Sequence, residues 1–303
     1  MPPPTIAISI ARLLPDALLS STLAGTRASS MSFDPEAVRA FEHAGWQEAA
    51  AEYEATFAQA TAPFVEALLD AAGTGAGMKL LDVCCGTGIV TAAAAARGAS
   101  VVGLDFSPAM LRQARQGHPH LHLDEGDAET LPYADDSFDA VVSNFGVHHA
   151  PNPEKAIAEA FRVLRPGGRV AVTTWAVPAE NIAWGLLFDA IRAHGDPNAA
   201  KTPRSGGNLG TIDAMLRLSR DAGLADIRAK PVRREWQVAD PRDLLAALSR
   251  GTVRTAALIG AQPAEARPAI EAAIVRAAAP YRRGDGFAVP IMAILASGTK
   301  SSA

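Results

Sequence analysis

The sequence predicts a doubly wound α/β protein. Its sheet should be mostly parallel and seven-stranded, with helices on both faces, the last strand antiparallel, and helical cap elements from both ends of the chain. Three observations lead there. Residues 78–105 read as one strand–turn–helix–strand unit, strand-like and helix-like stretches alternate through residue 177, and a helical block lies between the last two strand-like runs. The 303 residues, 49% of them hydrophobic, suffice for a large core with one domain and a substantial insertion or cap.

The first unit organises the chain. Leu80, Leu81, Asp82, Val83 and Cys84 form a short, mostly apolar run bounded by Gly77 and Gly86, the pattern of a buried parallel strand. Cys85, Gly86, Thr87 and Gly88 make a glycine-punctuated turn, and the alanine-rich residues 89–97 are good helix formers. Gly98 ends that helix, and a β-branched run over residues 100–104 leads to Asp105. Glycines at a strand-to-helix turn let a ligand approach the backbone, and the helix N-terminus offers free N–H groups and partial positive charge. Asp105, at the tip of the second strand, is placed to accept hydrogen bonds from ribose hydroxyls. A nucleoside ligand is expected, although a nicotinamide or flavin site begins in the same way. Thr91 stands where the third glycine of the dinucleotide pattern G-x-G-x-x-G would be.

Residues 80–88, L-L-D-V-C-C-G-T-G, resemble motif I of the class I S-adenosylmethionine-dependent methyltransferases. Residues 102–111 are similar to motif II with its following helix, residues 126–132 to the adenine-binding loop, and residues 138–144 to strand four. Residues 159–175, E-A-F-R-V-L-R-P-G-G-R-V-A-V-T-T-W, resemble the helix, turn and fifth strand of the branch containing quinone-biosynthesis and many small-molecule methyltransferases. The resemblance spans about residues 40–177 and implies a Rossmann-like methyltransferase fold with S-adenosyl-L-methionine as cofactor. It departs at Cys84, where the family usually has glycine. It implies cofactor contacts from Asp82, Cys84, Gly86, Thr87 and Gly88 around the first turn, and from Asp105 and Phe106 after the second strand, Phe106 stacking on adenine or packing beside it. Asp127 would accept from the adenine amine, the Ala128 N–H would contact the ring, and Asn144 completes the set.

In chain order, residues 1–32 read as a disordered or weakly structured extension. Pro2, Pro3 and Pro4 stand where a secretory signal carries its positive charge, and Met31 is a candidate start of the native protein. Residues 33–77 read as an N-terminal helical lid. Asp34, Pro35 and Glu36 are a cap, a first-position proline and a first-turn acid. Phe41, Trp46, Tyr53 and Phe57 recur at mixed helical spacings through residue 59, interrupted by Gly45. Packing on the sheet accounts for these aromatics; the resemblance adds that this segment covers the cofactor, with Tyr53 over it, and Trp46 is expected to border the acceptor. A second helix over residues 62–72 leads through a glycine-rich loop into the first strand.

Residues 78–177 are the expected cofactor-binding core. Ser107 caps a helix to residue 115, with Pro108 at its first position. His118, His120 and His122 alternate as if on one face of a strand, an arrangement open to a metal reading; an edge strand protected by polar side chains and a proline accounts for them, and no metal is expected. Ligands of open α/β sheets sit outside the carboxyl ends of the strands, so an acceptor should meet the stretch Asn144, Phe145, Gly146, Val147, His148, His149. His148 or His149 is the candidate base for an acceptor that loses a proton, since imidazole titrates near neutral pH. The rival role for either is packing or capping at the turn over residues 151–153. Phe145 is expected to border the acceptor, and Trp175, ending the fifth strand, either borders it or caps the core. A helix over residues 156–164 is stopped by Arg165, Pro166, Gly167 and Gly168.

Residues 178–303 supply the rest of the sheet with helical cap insertions. A helix over 181–194 precedes a Gly/Pro/Asn loop over 195–210, of the kind that often acts as a mobile lid. A helix over 211–222, a sixth strand over 225–238, helices over 240–249 and 263–279 and a last strand over 287–295 follow. Arg228, Lys230, Arg233 and Arg234 read as a solvated strand edge.

A net charge of −4 and a pI near 6.0 argue against a general nucleic-acid binder, which needs a basic face. The two cysteines are adjacent and cannot close a loop, which fits a reducing cytoplasm. No run reaches the roughly 18 to 20 apolar residues that a membrane span needs. The expected function is O-, N- or C-methylation of a small-molecule acceptor by a monomer or homodimer. Fold and cofactor site do not prove chemistry, so a cofactor-binding regulatory protein is the alternative, and an NAD(P)-dependent oxidoreductase the remote one.

Overall fold

The structure, a computed structural model, describes residues 33–203 and 207–302. The expected extension over residues 1–32 and the candidate start at Met31 lie outside them, as do residues 204–206 of the loop read as a lid.

Helix α1 (Pro35–Tyr53) begins where the Asp34 carboxylate accepts from the N–H groups of Glu36 and Ala37. It runs unbroken through Gly45, where Val253 packs so closely that a β-carbon would collide with it. The glycine admits a neighbour and does not interrupt the helix. Next come α2 (Ala58–Thr61), α3 (Val65–Ala72), β1 (Lys79–Val83), α4 (Ile89–Ala96), β2 (Ser100–Asp105) and α5 (Pro108–Gly117). The chain continues through β3 (His122–Glu125), β4 (Phe138–Asn144), α6 (Pro153–Val163), β5 (Leu164–Trp175), α7 (Ile182–His194) and α8 (Ile212–Asp221). It ends with β6 (Ala225–Val238), α9 (Pro241–Gly251), α10 (Arg254–Gly260), α11 (Arg267–Ala278), β7 (Arg282–Arg283) and β8 (Gly286–Thr299).

The sheet order is β3-β2-β1-β4-β5-β8-β6, with the two-residue β7 added against β8. That short strand makes eight where seven were expected. Pairings from β3 to β5 are parallel, while β8 runs antiparallel to both β5 and β6. Alternation along each strand separates two cores. Leu80 and Val142 pack with Phe64, Leu68, Trp184 and Trp236 on one face, whereas Leu81 and Val141 pack with Ile157, Met215 and Ile294 on the other.

Two local expectations change. Helix α5 runs to Gly117, so His118 follows it as the C-cap, His120 lies in a turn, and only His122 is on β3. The three imidazoles therefore share no strand face. Residues 165–168 do not stop the chain in a turn but belong to β5, which absorbs the irregularity as a register shift against β4. The basic rim matches its expectation, since β6 is an edge strand and Arg228, Lys230 and Arg233 are exposed on it. Arg234 lies over the Phe64 ring and donates to the Pro63 carbonyl. No helix among the described residues is long and apolar enough to cross a membrane.

Candidate functional site

The carboxyl ends of β1, β2 and β4 open into one cleft bordered by α1, with about 730 Å³ of space including its open mouth. Of the expected cofactor set, Tyr53, Cys84, Gly86, Asp105 and Phe106 line it, together with Asp127, Ala128 and Asn144. Trp46, Phe145 and His149 from the expected acceptor region line it too. Asp82, Thr87, Gly88, His148 and Trp175 are not in its walls.

Gly86 has φ 54°, and a β-carbon there would meet nothing within 4 Å. Its face is thus an open cradle, in a conformation that favours glycine. Beside it, Asp105 is 5% exposed. One of its oxygens accepts from the Gly86 N–H and the other from the Ser107 N–H, both at 2.9 Å. Burial pushes this carboxyl up to about 6, against the pull of those N–H groups and of His43. A carboxylate fixed by backbone, with lone pairs to spare beside an open glycine, fits a hydroxyl-bearing ligand. Asp127 accepts from the Glu129 N–H at 2.8 Å and is ion-paired with Arg39 of α1. Phe106 meets His43 edge to face, with centroids 5.3 Å apart.

Residues outside the walls have other partners. Asp82 is 1% exposed and accepts from the Thr91 hydroxyl at 2.6 Å, while its second oxygen has no partner among the described residues. Burial pushes its carboxyl up to about 7, with the Asp105 charge adding to the rise. Thr91 replaces the third glycine of a dinucleotide turn with a hydroxyl that holds this acid. Thr87 donates to Glu54 at 2.6 Å, next to the end of α1, and Gly88 faces Ala114, His118 and Leu121. Trp175 was expected to border the acceptor or cap the core. It does the second, stacked on Phe145 at 3.8 Å and 17° and packed against Trp184. Phe145, itself left-handed at φ 58°, lies between Trp175 and the cleft.

At the opposite wall, His149 Nδ1 lies 3.0 Å from Glu42 Oε2, and Trp46 meets the imidazole edge to face at 4.9 Å. Glu42 is 1% exposed. Its Oε1 accepts from Arg254 Nε at 2.6 Å, and Arg254 Nη1 donates to the Pro203 carbonyl. Burial alone would raise the Glu42 carboxyl, but the charges and hydrogen bonds of His149 and Arg254 outweigh it and hold the carboxyl below its ordinary value. His148 is different. Burial, with the neighbouring His149 and Arg254 charges, pushes its imidazole well below the ordinary histidine range, and its Nδ1 has no partner among the described residues.

Sequence reasoning missed Arg39, Glu42 and Arg254. Glu42 left a signal: it falls four residues after Val38 and four before Trp46, on the buried side of α1, where an acid needs a partner. Arg254 left none, because it belongs to α10, a helix its sequence did not announce. Among the described residues no group of three or more His, Cys, Asp or Glu side chains could hold a metal ion.

The family described as "Methyltransferase domain" matches residues 81–172. A demethylmenaquinone methyltransferase of Renibacterium salmoninarum is 42% identical over 111 residues, covering 37% of this chain and 47% of that protein. An uncharacterized protein of Mycobacterium tuberculosis is 38% identical over 148 residues, covering 48% of this chain and 53% of that one. The chain thus spans about half the length of these curated relatives. A protein from an antibiotic biosynthesis pathway of Anabaena variabilis superposes with a TM-score of 0.54 at 19% identity, covering 77% of this chain and 96% of that one. The YcgJ protein of Bacillus subtilis superposes at 0.51 with 20% identity, covering 79% and 98%. At such identities the two structures establish a shared fold.

Proposed function

We propose that this chain, which carries a class I S-adenosylmethionine-dependent methyltransferase domain, moves a methyl group from S-adenosyl-L-methionine to a small-molecule acceptor bound in the cleft beside α1. The observation that carries this reading is the convergence of Gly86, Asp105 and Asp127 with His149 on one cleft. The cofactor, when bound, supplies a sulfonium methyl group that is already a strong electrophile. Asp105 would accept from the ribose hydroxyls, Gly86 would admit the ligand to the backbone, and Asp127 with Ala128 would receive the adenine. Tyr53 and Trp46 would exclude water and hold the acceptor in line.

His149, rather than His148, is the proposed base. It lines the cleft and is held by a carboxylate, while His148 does not line the cleft. A base has work only where the acceptor loses a proton, which favours a hydroxyl or an acidic carbon over an amine. The relatives named demethylmenaquinone methyltransferases make that compound the first acceptor to assay. The acidic net charge supports a small molecule over a nucleic acid, and the adjacent free thiols suit a reducing cytoplasm.

Calorimetric titration with S-adenosylhomocysteine, with NAD and NADP alongside, tests the reading. Binding of S-adenosylhomocysteine alone is expected. A folded protein that ignores it, or prefers a nicotinamide, would end the proposal.

A further inference from the structure

We infer that Glu42 is a positioning residue that fixes His149 in the tautomer protonated at Nδ1, with Arg254 locking Glu42 in that role. The inference rests on reading the cleft as an acceptor site, and it adds a requirement on where one hydrogen sits. Three segments remote in sequence meet here: α1 brings Glu42, the turn after β4 brings His149, and α10 brings Arg254.

The hydrogen is assigned by elimination. Arginine only donates, and an ionised carboxylate only accepts. Glu42 Oε1 is occupied by Arg254 Nε at 2.6 Å, which leaves Oε2 for His149 Nδ1 at 3.0 Å. The hydrogen between them must therefore belong to Nδ1. His149 Nε2 has no hydrogen-bond partner among the described residues, and the ring lines the cleft. A neutral imidazole protonated at Nδ1 carries its lone pair on Nε2, which is what a base facing an acceptor requires. Arg254 is a permanent cation beside the buried Glu42, so the carboxylate keeps a charged partner when the imidazole is neutral.

Glu42→Gln should reverse the tautomer. Arginine cannot accept, so the amide oxygen must turn to Arg254, and its NH₂ then faces His149 and donates to Nδ1. The tautomer should flip to Nε2–H. Adding Arg254→Met to Glu42→Gln frees the amide to rotate, and Nδ1–H should return. Histidine-selective ¹⁵N labelling reads the tautomer from the ring-nitrogen shifts at a pH about two units above the ordinary histidine pKa, with His149→Gln to assign the signal. The parent is expected to be Nδ1–H and Glu42→Gln to be Nε2–H.

An Nε2–H parent overturns the inference, and so does a Glu42→Gln protein that keeps Nδ1–H. Should Glu42→Gln fail to fold, Glu42→Asp withdraws the carboxylate by one methylene; a mixture of tautomers is then expected, and the parent's pure tautomer overturns the inference. Calorimetry with S-adenosylhomocysteine on the same samples separates the two levels. Parent binding with an unmoved tautomer sinks the positioning role alone, whereas a parent that does not bind sinks the methyl-transfer reading and leaves the tautomer result standing.

Discussion

The side chain of Cys84 packs against Gly146: a β-carbon on Gly146 would collide with the Cys84 β-carbon and stand 2.8 Å from Ser143 Oγ and 3.0 Å from Cys84 Sγ. Cys84 is itself left-handed, with φ 59°. Where the resembled family usually has glycine, this chain has a thiol, and a glycine stands opposite it just after the neighbouring strand β4. Sequence showed the departure at Cys84; its compensation at Gly146 is a tertiary contact.

That contact defines a mutant cycle. Gly146 has φ −95°, which alanine tolerates, so Gly146→Ala should cost about 1–3 kcal/mol through overpacking alone. Cys84→Gly removes a left-handed non-glycine residue, worth about 1–2 kcal/mol of strain, and should come out close to neutral after its own loss of packing and gain in chain entropy. In the double variant most of the Gly146→Ala cost should vanish. Thermal denaturation reads all three, and strictly additive effects would show that the contact is not the cause.

Asp105→Ala should weaken S-adenosylhomocysteine binding by about 10- to 100-fold, the worth of charge-assisted hydrogen bonds, with the fold retained. Gly86→Val should abolish measurable binding, because its side chain enters open space that no protein atom occupies within 4 Å. Calorimetry and far-UV circular dichroism check both. Normal affinity in either variant places the ligand elsewhere.

Asp82 makes stability fall as pH rises. In the unfolded chain its carboxyl ionises near 3.8, and in the folded one burial pushes it up to about 7. Between these values the folded state binds the additional proton, so this group lowers stability progressively with rising pH, by at most about 1.4 kcal/mol per pH unit. Asp82→Asn removes that titration. Melting temperatures of parent and variant, compared from about pH 4 to about pH 7, should diverge in favour of the variant as pH rises. A constant difference across the window would contradict the assignment.

His149→Gln should lower turnover of the first acceptor found by about 10²- to 10⁴-fold, the usual contribution of a positioned base, while S-adenosylhomocysteine affinity persists. His148→Gln should stay within about tenfold of the parent, since His148 does not line the cleft. Equal losses in both, or none in His149→Gln, would remove His149 as the base.

The strand-tip end of the cleft was legible in sequence because its parts are local. Gly86, Asp105, Asp127 and Asn144 sit on or just beyond strand tips, and hydrophobic runs with glycine punctuation announce such strands without reference to the rest of the chain. The strand order of a parallel sheet then brings the tips together. Trp175 also stands at a strand tip, yet a neighbouring ring covers it, so position along a strand did not decide its exposure.

Sequence by itself determined the doubly wound sheet, the basic outer edge and most of the residues at the strand-tip end of the cleft. Each depends on periodicity, capping or turn chemistry within a few residues. Only the tertiary structure decided which histidine faces the cleft, what Thr91 holds, and that Glu42 and Arg254 stand behind His149. The histidine and its two supports depend on side chains more than a hundred residues apart whose burial, charge and donor count must be satisfied together, and no local pattern encodes a partner at that distance; Thr91 and Asp82 are nine residues apart, but their bond needs the strand and the helix packed on each other.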